Sequence, residues 1–170
     1  MTESLTPELA AEAEAVWLSA NQARLAALGI PPGPVAEQDD LVARRLATGA
    51  FGVVATDREE VVAVALAMDA IEDDGRGTEP VPGLMHVSTV AVLPERWGQH
   101  LGEIVLADVL GEGRHRGYVR AQLWTHESNV GAQRLYERTG WTPSGRTTID
   151  DRGEAIRHYL LDLGDQPGPA

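Results

Sequence analysis

The sequence predicts an α/β (α+β) protein with a mixed, partly parallel central sheet and helices on both faces. Three observations predict it. β-rich runs occupy the middle of the chain, at 51–55, 61–68 and 85–93. Single helix-like segments separate the later runs, as parallel strands require, because a parallel crossover is too long for a tight turn. Hairpin-like turns at 57–60 and 150–153 add antiparallel strands at either side.

Each element has a local cause. Thr6 is placed to cap a first helix, Pro7 suits its first position, and Glu8 sits at the positive end of its dipole. An Ala-rich stretch continues to Leu28, where Gly29 with Pro31 and Pro32 stops it. Residues 31–34 read as a loop, and a second helix is predicted over 38–48, closed by Gly49. The hairpin of 51–55 and 61–68 follows, then an acidic loop over 69–83. A strand at 85–93 ends at Pro94. The next helix, 98–116, carries Leu101, Val105 and Val109 on one stripe, because residues four apart share a helix face. A strand at 120–125 and a helix at 129–139, closed by Gly140 as a left-handed cap, come next. Strands at 141–149 and 155–163 flank the turn 150–153. The expectation is one domain, 1–163, with a Gly/Pro-rich tail from Gly164 that frays.

Charge and missing residue types narrow the function classes. Twenty-six acids face 14 bases, a formal net charge of −12, and every base is Arg. Such a field opposes binding to nucleic acid or an anionic membrane. Without Cys there is no disulfide, no thiol nucleophile and no thiolate metal site. Without Lys there is no Schiff-base chemistry and no P-loop. The five His are scattered, with no paired His and carboxylate spacing on one helix, so no metal site is expected. No Ser sits in a nucleophile elbow. The first base is Arg24, so no secretory leader is expected. The apolar run 61–68 is far shorter than the roughly 20 residues that span a bilayer. A soluble, cytoplasmic protein is the expectation.

The chemistry-bearing stretch is V-A-V-L-P-E-R-W-G-Q-H-L-G, residues 90–102. A strand ends, a glycine-bearing turn follows and a helix begins. The first N–H groups of that helix have no internal acceptor and lie at the positive end of the dipole, which suits a phosphate group. Downstream, Asn129 and Tyr136 stand seven residues apart, almost two helical turns, and so share one helix face. Tyr at helical spacing is ordinarily a core residue; its pairing with the phosphate-type turn is what marks it.

These motifs resemble the GNAT superfamily of N-acetyltransferases over about 85–163. That family's pattern is a strand ending V-x-P, then Q/R-x-x-G-x-G/A, then N-x-x-A-x-x-L-Y-x-x-x-G-F. The chain supplies Val92 and Pro94, then Asn129, Ala132, Leu135, Tyr136 and Gly140, with Trp141 in place of Phe. It departs at Trp97, where the family has Gln or Arg, and at His100, where it has the first Gly; Gly102 matches.

The resemblance implies splayed central strands and transfer of an acetyl group from acetyl-CoA to a primary amine of a small molecule or peptide, by direct attack and without a metal. It places the cofactor pyrophosphate on the backbone amides of Gly98, Gln99, His100, Leu101, Gly102 and Glu103. The pantetheine arm would follow Val90, Ala91 and Val92, and Asn129 and Tyr136 complete the cofactor set. Tyr136 is the implied general acid, its reference pKa of about 10 lying near enough to a thiol's of about 8.5. His86, on the strand face of Val90, stands where several members carry Glu, and is the candidate base with an intrinsic pKa of about 6.5. Glu127 and His126 are alternative bases, and Ser88 can orient a water. A backbone N–H near Val92 would hold the oxyanion. His100 puts a Cβ where the backbone approaches phosphate, so CoA binding is expected to be usable but weakened. Trp17, Trp124 and 148–153 are candidates for lining the acceptor side. The acidic field favours a cationic acceptor but repels CoA, so it must be reversed locally by the helix start at Gly98 and by Arg96 or the arginines of 114–120. The alternative reading is a non-catalytic acetyl-CoA-binding sensor, motivated by Trp97, His100 and the missing Glu. The oligomeric state, monomer or homodimer, stays open.

Overall fold

The computed structural model describes residues 1–31 and 40–164. Seven strands form a mixed sheet in the order β1-β2-β3-β4-β5-β7-β6. They are β1 (Thr2–Ser4), β2 (Phe51–Asp57), β3 (Glu60–Ile71), β4 (Pro80–Val92), β5 (Arg120–His126), β6 (Thr142–Ile149) and β7 (Ala155–Asp162). The helices are α1 (Ala10–Ala27), α2 (Leu41–Ala47), a four-residue helical turn α3 (Glu72–Gly75), α4 (Leu101–His115) and α5 (Val130–Arg138). The chain divides into two compact units, one of residues 1–67 and 89–109, the other of 68–88 and 110–170.

In the first unit β1, β2 and β3 form an antiparallel meander. The two residues that turn β2 into β3, Arg58 and Glu59, both have positive φ, 51° and 70°. That is the mirror-type turn whose twist matches two-residue hairpins, reached here without glycine. Gly52 is fixed by packing, since a Cβ there would stand 2.6 Å from the Ala65 carbonyl oxygen across the ladder. The stretch 61–67 on β3 is buried at every residue, as expected of a strand covered on both faces. α1 inserts Ala10, Ala13 and Val16 against Val54, Val64, Leu66 and Ala91, and α2 adds Val42.

A buried acid ties the two helices of this unit together. α2 begins at a left-handed Asp40 (φ 70°) that makes no side-chain cap. Glu14 of α1, 7% exposed, accepts the Val42 N–H at 2.7 Å in its place. Arg45 of α2 feels this carboxylate: burial lowers its pKa and Glu14 opposes the shift. Arg45 Nη1 also donates to Thr89 Oγ1 at 3.3 Å. An early acid on α1 therefore serves as the missing cap of a helix 28 residues later.

In the second unit β4 and β5 pair in parallel over a short ladder, Leu84, Met85 and His86 against Arg120, Ala121 and Gln122. β5 pairs with β7 along its whole length. Met85, Leu123, Tyr136, Trp141 and Tyr159 are buried here. The β6–β7 ladder breaks register between Pro143 and Thr147, so 144–146 bulge out of it.

The predicted mixed α/β sheet is present, with several corrected boundaries. β1 escapes sequence patterning because it is three residues long and mostly exposed. The first helix opens as a 3-10 turn at Pro7–Leu9, and Thr6 makes no side-chain cap. The predicted loop 69–83 is shorter, because β3 runs on to Ile71, β4 starts at Pro80, and the Glu72 N–H bonds Glu79 O at 3.0 Å. α4 starts at Leu101 instead of 98 because His100 is left-handed and cannot belong to a right-handed helix. Most of the predicted loop 31–34, the predicted start of the second helix at Gln38 and the tail beyond Gly164 lie outside the described residues.

Glu14→Ala is expected to lower stability by roughly 1–3 kcal/mol, because it strips the acceptor from a buried N–H and leaves Arg45 half-buried without its counter-charge. Asp40→Ala should change little. Urea midpoints of the two variants check this, and equal midpoints would remove Glu14 from its capping role.

Candidate functional site

The first unit holds the strand–turn–helix. Along β4 burial alternates, with Ala91 buried and Val90 and Val92 partly exposed. The Leu93 N–H bonds Val62 O at 3.0 Å, and Pro94–Arg96 make a 3-10 turn. Gly98 (φ 80°) and His100 (φ 60°) are both left-handed. The His100 carbonyl then accepts the N–H groups of Glu103 (3.1 Å) and Ile104 (3.2 Å), starting α4. The N–H groups of Leu101 and Gly102 belong to a first helical turn, which offers them no acceptor. His100 thus takes a conformation that glycine adopts freely, at a cost of about 1–2 kcal/mol for a residue with a Cβ. Its imidazole is 70% exposed, with Nδ1 3.2 Å from Glu103 Oε1.

The departures from the family pattern have visible partners. Trp97, 53% exposed, donates its indole N–H to the Val92 carbonyl at 2.9 Å. A residue out of pattern therefore clamps the end of β4. Arg96 is held by Asp57 at 2.7 Å, Arg116 by Glu112 at 2.7 Å, and Arg114 Nε donates to Leu163 O at 3.1 Å. Arg96 and Arg116 are thus offset by carboxylates, whereas Arg114 keeps its charge at a carbonyl, and the helix start adds its dipole.

The second unit holds His86, Asn129 and Tyr136. His86 is half-buried in register with Gln122, and Ser88 lies on the same strand face. Asn129 Oδ1 accepts the Ala132 N–H at 3.2 Å, capping α5. Tyr136 is buried, its ring 5.9 Å from those of both Trp141 and Tyr159. Burial, helped by Tyr159, pushes its phenol well above the ordinary value. The alternative bases are engaged: Glu127 lies 3.5 Å from Arg157, and His126 Nε2 lies 2.9 Å from Asp150 Oδ2.

Some groupings escaped the sequence. His126, Asp150 and Glu154 present ligand atoms within 4.8 Å of one another, a group that can hold a metal ion. Helical spacing does not reveal it, because the three come from the end of β5 and the β6–β7 hairpin; the Asp150 turn was the available signal. Trp17 packs against the first unit's core. Trp124 packs against His158 with the rings tilted by 44° and centroids 4.7 Å apart, and the Arg146 guanidinium lies 5.3 Å over its face. Among the described residues no helix is long and apolar enough to cross a membrane.

Comparison with known proteins gives a family. The model of the acetyltransferase (GNAT) family matches residues 10–141. A mycothiol acetyltransferase of Streptosporangium roseum is 39% identical over 70 residues, 41% of this chain and 20% of that protein, so the chain spans only a small part of that relative. The protein yncA of Salmonella typhimurium, described as an acetyltransferase and solved with its cofactor acetyl-CoA, superposes with a TM-score of 0.73 at 19% identity, covering 100% of this chain and 97% of that one. A ribosomal-protein-alanine N-acetyltransferase of Brucella melitensis gives 0.73 at 17% identity, covering 95% and 99%.

The perturbed groups set a pH window for stability. Tyr136 and Tyr159 are raised by burial, and Tyr118 is pushed up to about 12 by burial and its bond to Asp69. The folded chain keeps these protons where the unfolded chain releases them, so stability falls as pH rises above about 10. His158 is lowered by burial and by Arg146, against Asp74, so its contribution is lost as pH falls below about 6.5. Urea midpoints across pH should show a plateau between these limits. Tyr136→Phe should flatten the alkaline fall, and a wild-type midpoint that stays level past pH 11 (about one unit above an ordinary phenol) would contradict it.

Proposed function

Because the chain belongs to the GNAT acetyltransferase family, we propose that it transfers the acetyl group of acetyl-CoA to a primary amine of a small molecule or peptide. The observation that supports this most is the left-handed turn at His100, which keeps the strand–turn–helix of the family pattern although its glycine is missing. In this reading the pyrophosphate sits on the amides of Gly98 to Glu103 and the pantetheine arm follows Val90 to Val92.

The amine nitrogen, made neutral by loss of a proton to His86 or to water, attacks the thioester carbonyl directly. A backbone N–H near Val92 stabilises the oxyanion. The tetrahedral intermediate expels the thiolate, Tyr136 donates its phenol proton to the sulfur, and the second proton leaving the amide nitrogen passes through water to restore the phenol. Burial favours this role in one respect, since it keeps the phenol protonated throughout the neutral range. The acidic surface favours a cationic acceptor. The alanine of a ribosomal protein, named for the Brucella relative, is one amine of the proposed class.

A second reading is a non-catalytic acetyl-CoA sensor. It is favoured by Trp97, whose indole occupies the Val92 carbonyl on the strand assigned to the pantetheine arm.

CoA should raise the melting temperature, and acetyl-CoA should release thiol with at least one member of an amine panel. No stabilisation by CoA would overturn both readings, and stabilisation without thiol release would favour the sensor. Tyr136→Phe should lower turnover about 100-fold with little change in CoA affinity. Unchanged turnover would remove Tyr136 from catalysis.

A further inference from the structure

The second unit carries a hydroxyl–imidazole–amide chain that acetyl transfer by direct attack does not use. Ser144 stands in the β6 bulge, exposed, followed by Gly145 at φ 84°. Its Oγ lies 2.8 Å from Nδ1 of His158. His158 is 2% exposed and sits on β7 opposite Trp124. Its other nitrogen, Nε2, lies 3.1 Å from Oε1 of Gln122 on β5.

With the Gln122 amide oxygen toward the ring, the contacts give one consistent set of hydrogen-bond directions. An amide oxygen only accepts, so Nε2 of His158 carries the proton. Nδ1 then holds a lone pair, and the Ser144 hydroxyl donates to it. The serine proton therefore points at a base, and Ser144 is exposed as a residue. The Arg146 backbone N–H donates to the same oxygen at 3.2 Å, a donor that steadies an alkoxide. Burial and the Arg146 guanidinium both favour the neutral, base-competent imidazole, with Asp74 as the opposing charge. Arg146 itself is paired with Asp74 and lies over Trp124. A nucleophile, a base that touches it and a group that orients the base form the arrangement that activates serine in acyl transfer.

We propose that Ser144 is an acyl-accepting nucleophile, with His158 as its general base and Gln122 as the positioning residue, acting on activated acyl esters or thioesters. Ser144 Oγ forms a bond to the acyl carbon while its proton moves to His158 Nδ1. The acyl–oxygen or acyl–sulfur bond breaks, and the leaving group takes the proton from the imidazolium. The product is an O-acyl-serine, released later by water or an amine. The residues are distinct from those assigned to acetyl-CoA, so this step stands whether or not the acetyl-CoA reading holds.

The test uses the whole chain and p-nitrophenyl acetate, an activated ester without a CoA moiety. The readout is acetylation of the Ser144 peptide by mass spectrometry, with circular dichroism as a check on folding. Wild type should gain one acetyl group at Ser144, and Ser144→Ala should lose it. His158→Gln should slow the reaction about 100-fold. Gln122→Leu should slow it about 10-fold, and Gln122→Glu, which can only accept, should restore it. No acetyl group at Ser144 in the wild type overturns the proposal. Equal rates in folded wild type and Gln122→Leu also overturn it.

Discussion

The phosphate-type turn depends on one backbone torsion. His100 lies at φ 60°, a region that residues with a Cβ enter at a cost of about 1–2 kcal/mol. The 3-10 segment after β4 ends at an extended Trp97, and the His100 torsion then delivers the chain into α4, whose first N–H groups have no acceptor within the helix. A right-handed His100 would extend the helix backwards and remove the turn. The position therefore demands glycine-like geometry, and the chain meets the demand with a histidine whose imidazole leaves the turn for solvent and Glu103. Nearby contacts brace the same junction. Trp97 holds the Val92 carbonyl, and Arg96 is anchored to Asp57.

Charge acts through local compensation more than through the total. A net charge of −12 sets a repulsive field for any anionic cofactor. Of the arginines expected to reverse it, Arg96 and Arg116 are paired with carboxylates and Arg114 bonds a carbonyl. The backbone dipoles at the helix start are directional and act at short range. The same pairing habit recurs inside the first unit, where Glu14 caps α2 and offsets Arg45. In both places an acid that composition alone would assign to the surface has a specific partner.

Much of the fold was legible because it rests on local rules. The β2–β3 hairpin, the stripe of Val105 and Val109 and the helix α5 closed at Gly140 follow from period and turn chemistry, whereas Asn129, read as part of that helix, is its N-cap. The strand–turn–helix was legible as a motif, though the torsion at His100 was not, since it opposes the residue's own preference. What stayed hidden comes from strand neighbours distant in sequence. Ser144, His158 and Gln122 meet only because β5, β7 and β6 lie side by side. His126, Asp150 and Glu154 meet for the same reason. Spacing along one helix can be read from a sequence, whereas register between strands is set by the ladder and its bulge.

The central claim is that the left-handed turn at His100, and not the imidazole, prepares the start of α4 for an anion. Calorimetric CoA affinity of wild type, His100→Gly and His100→Val tests it most directly. Glycine enters the left-handed region freely and should bind at least as tightly as histidine. Valine, branched at Cβ, is a strong outlier there and should bind about 10-fold more weakly or worse. Valine binding as tightly as histidine, or glycine binding more weakly, would contradict the claim.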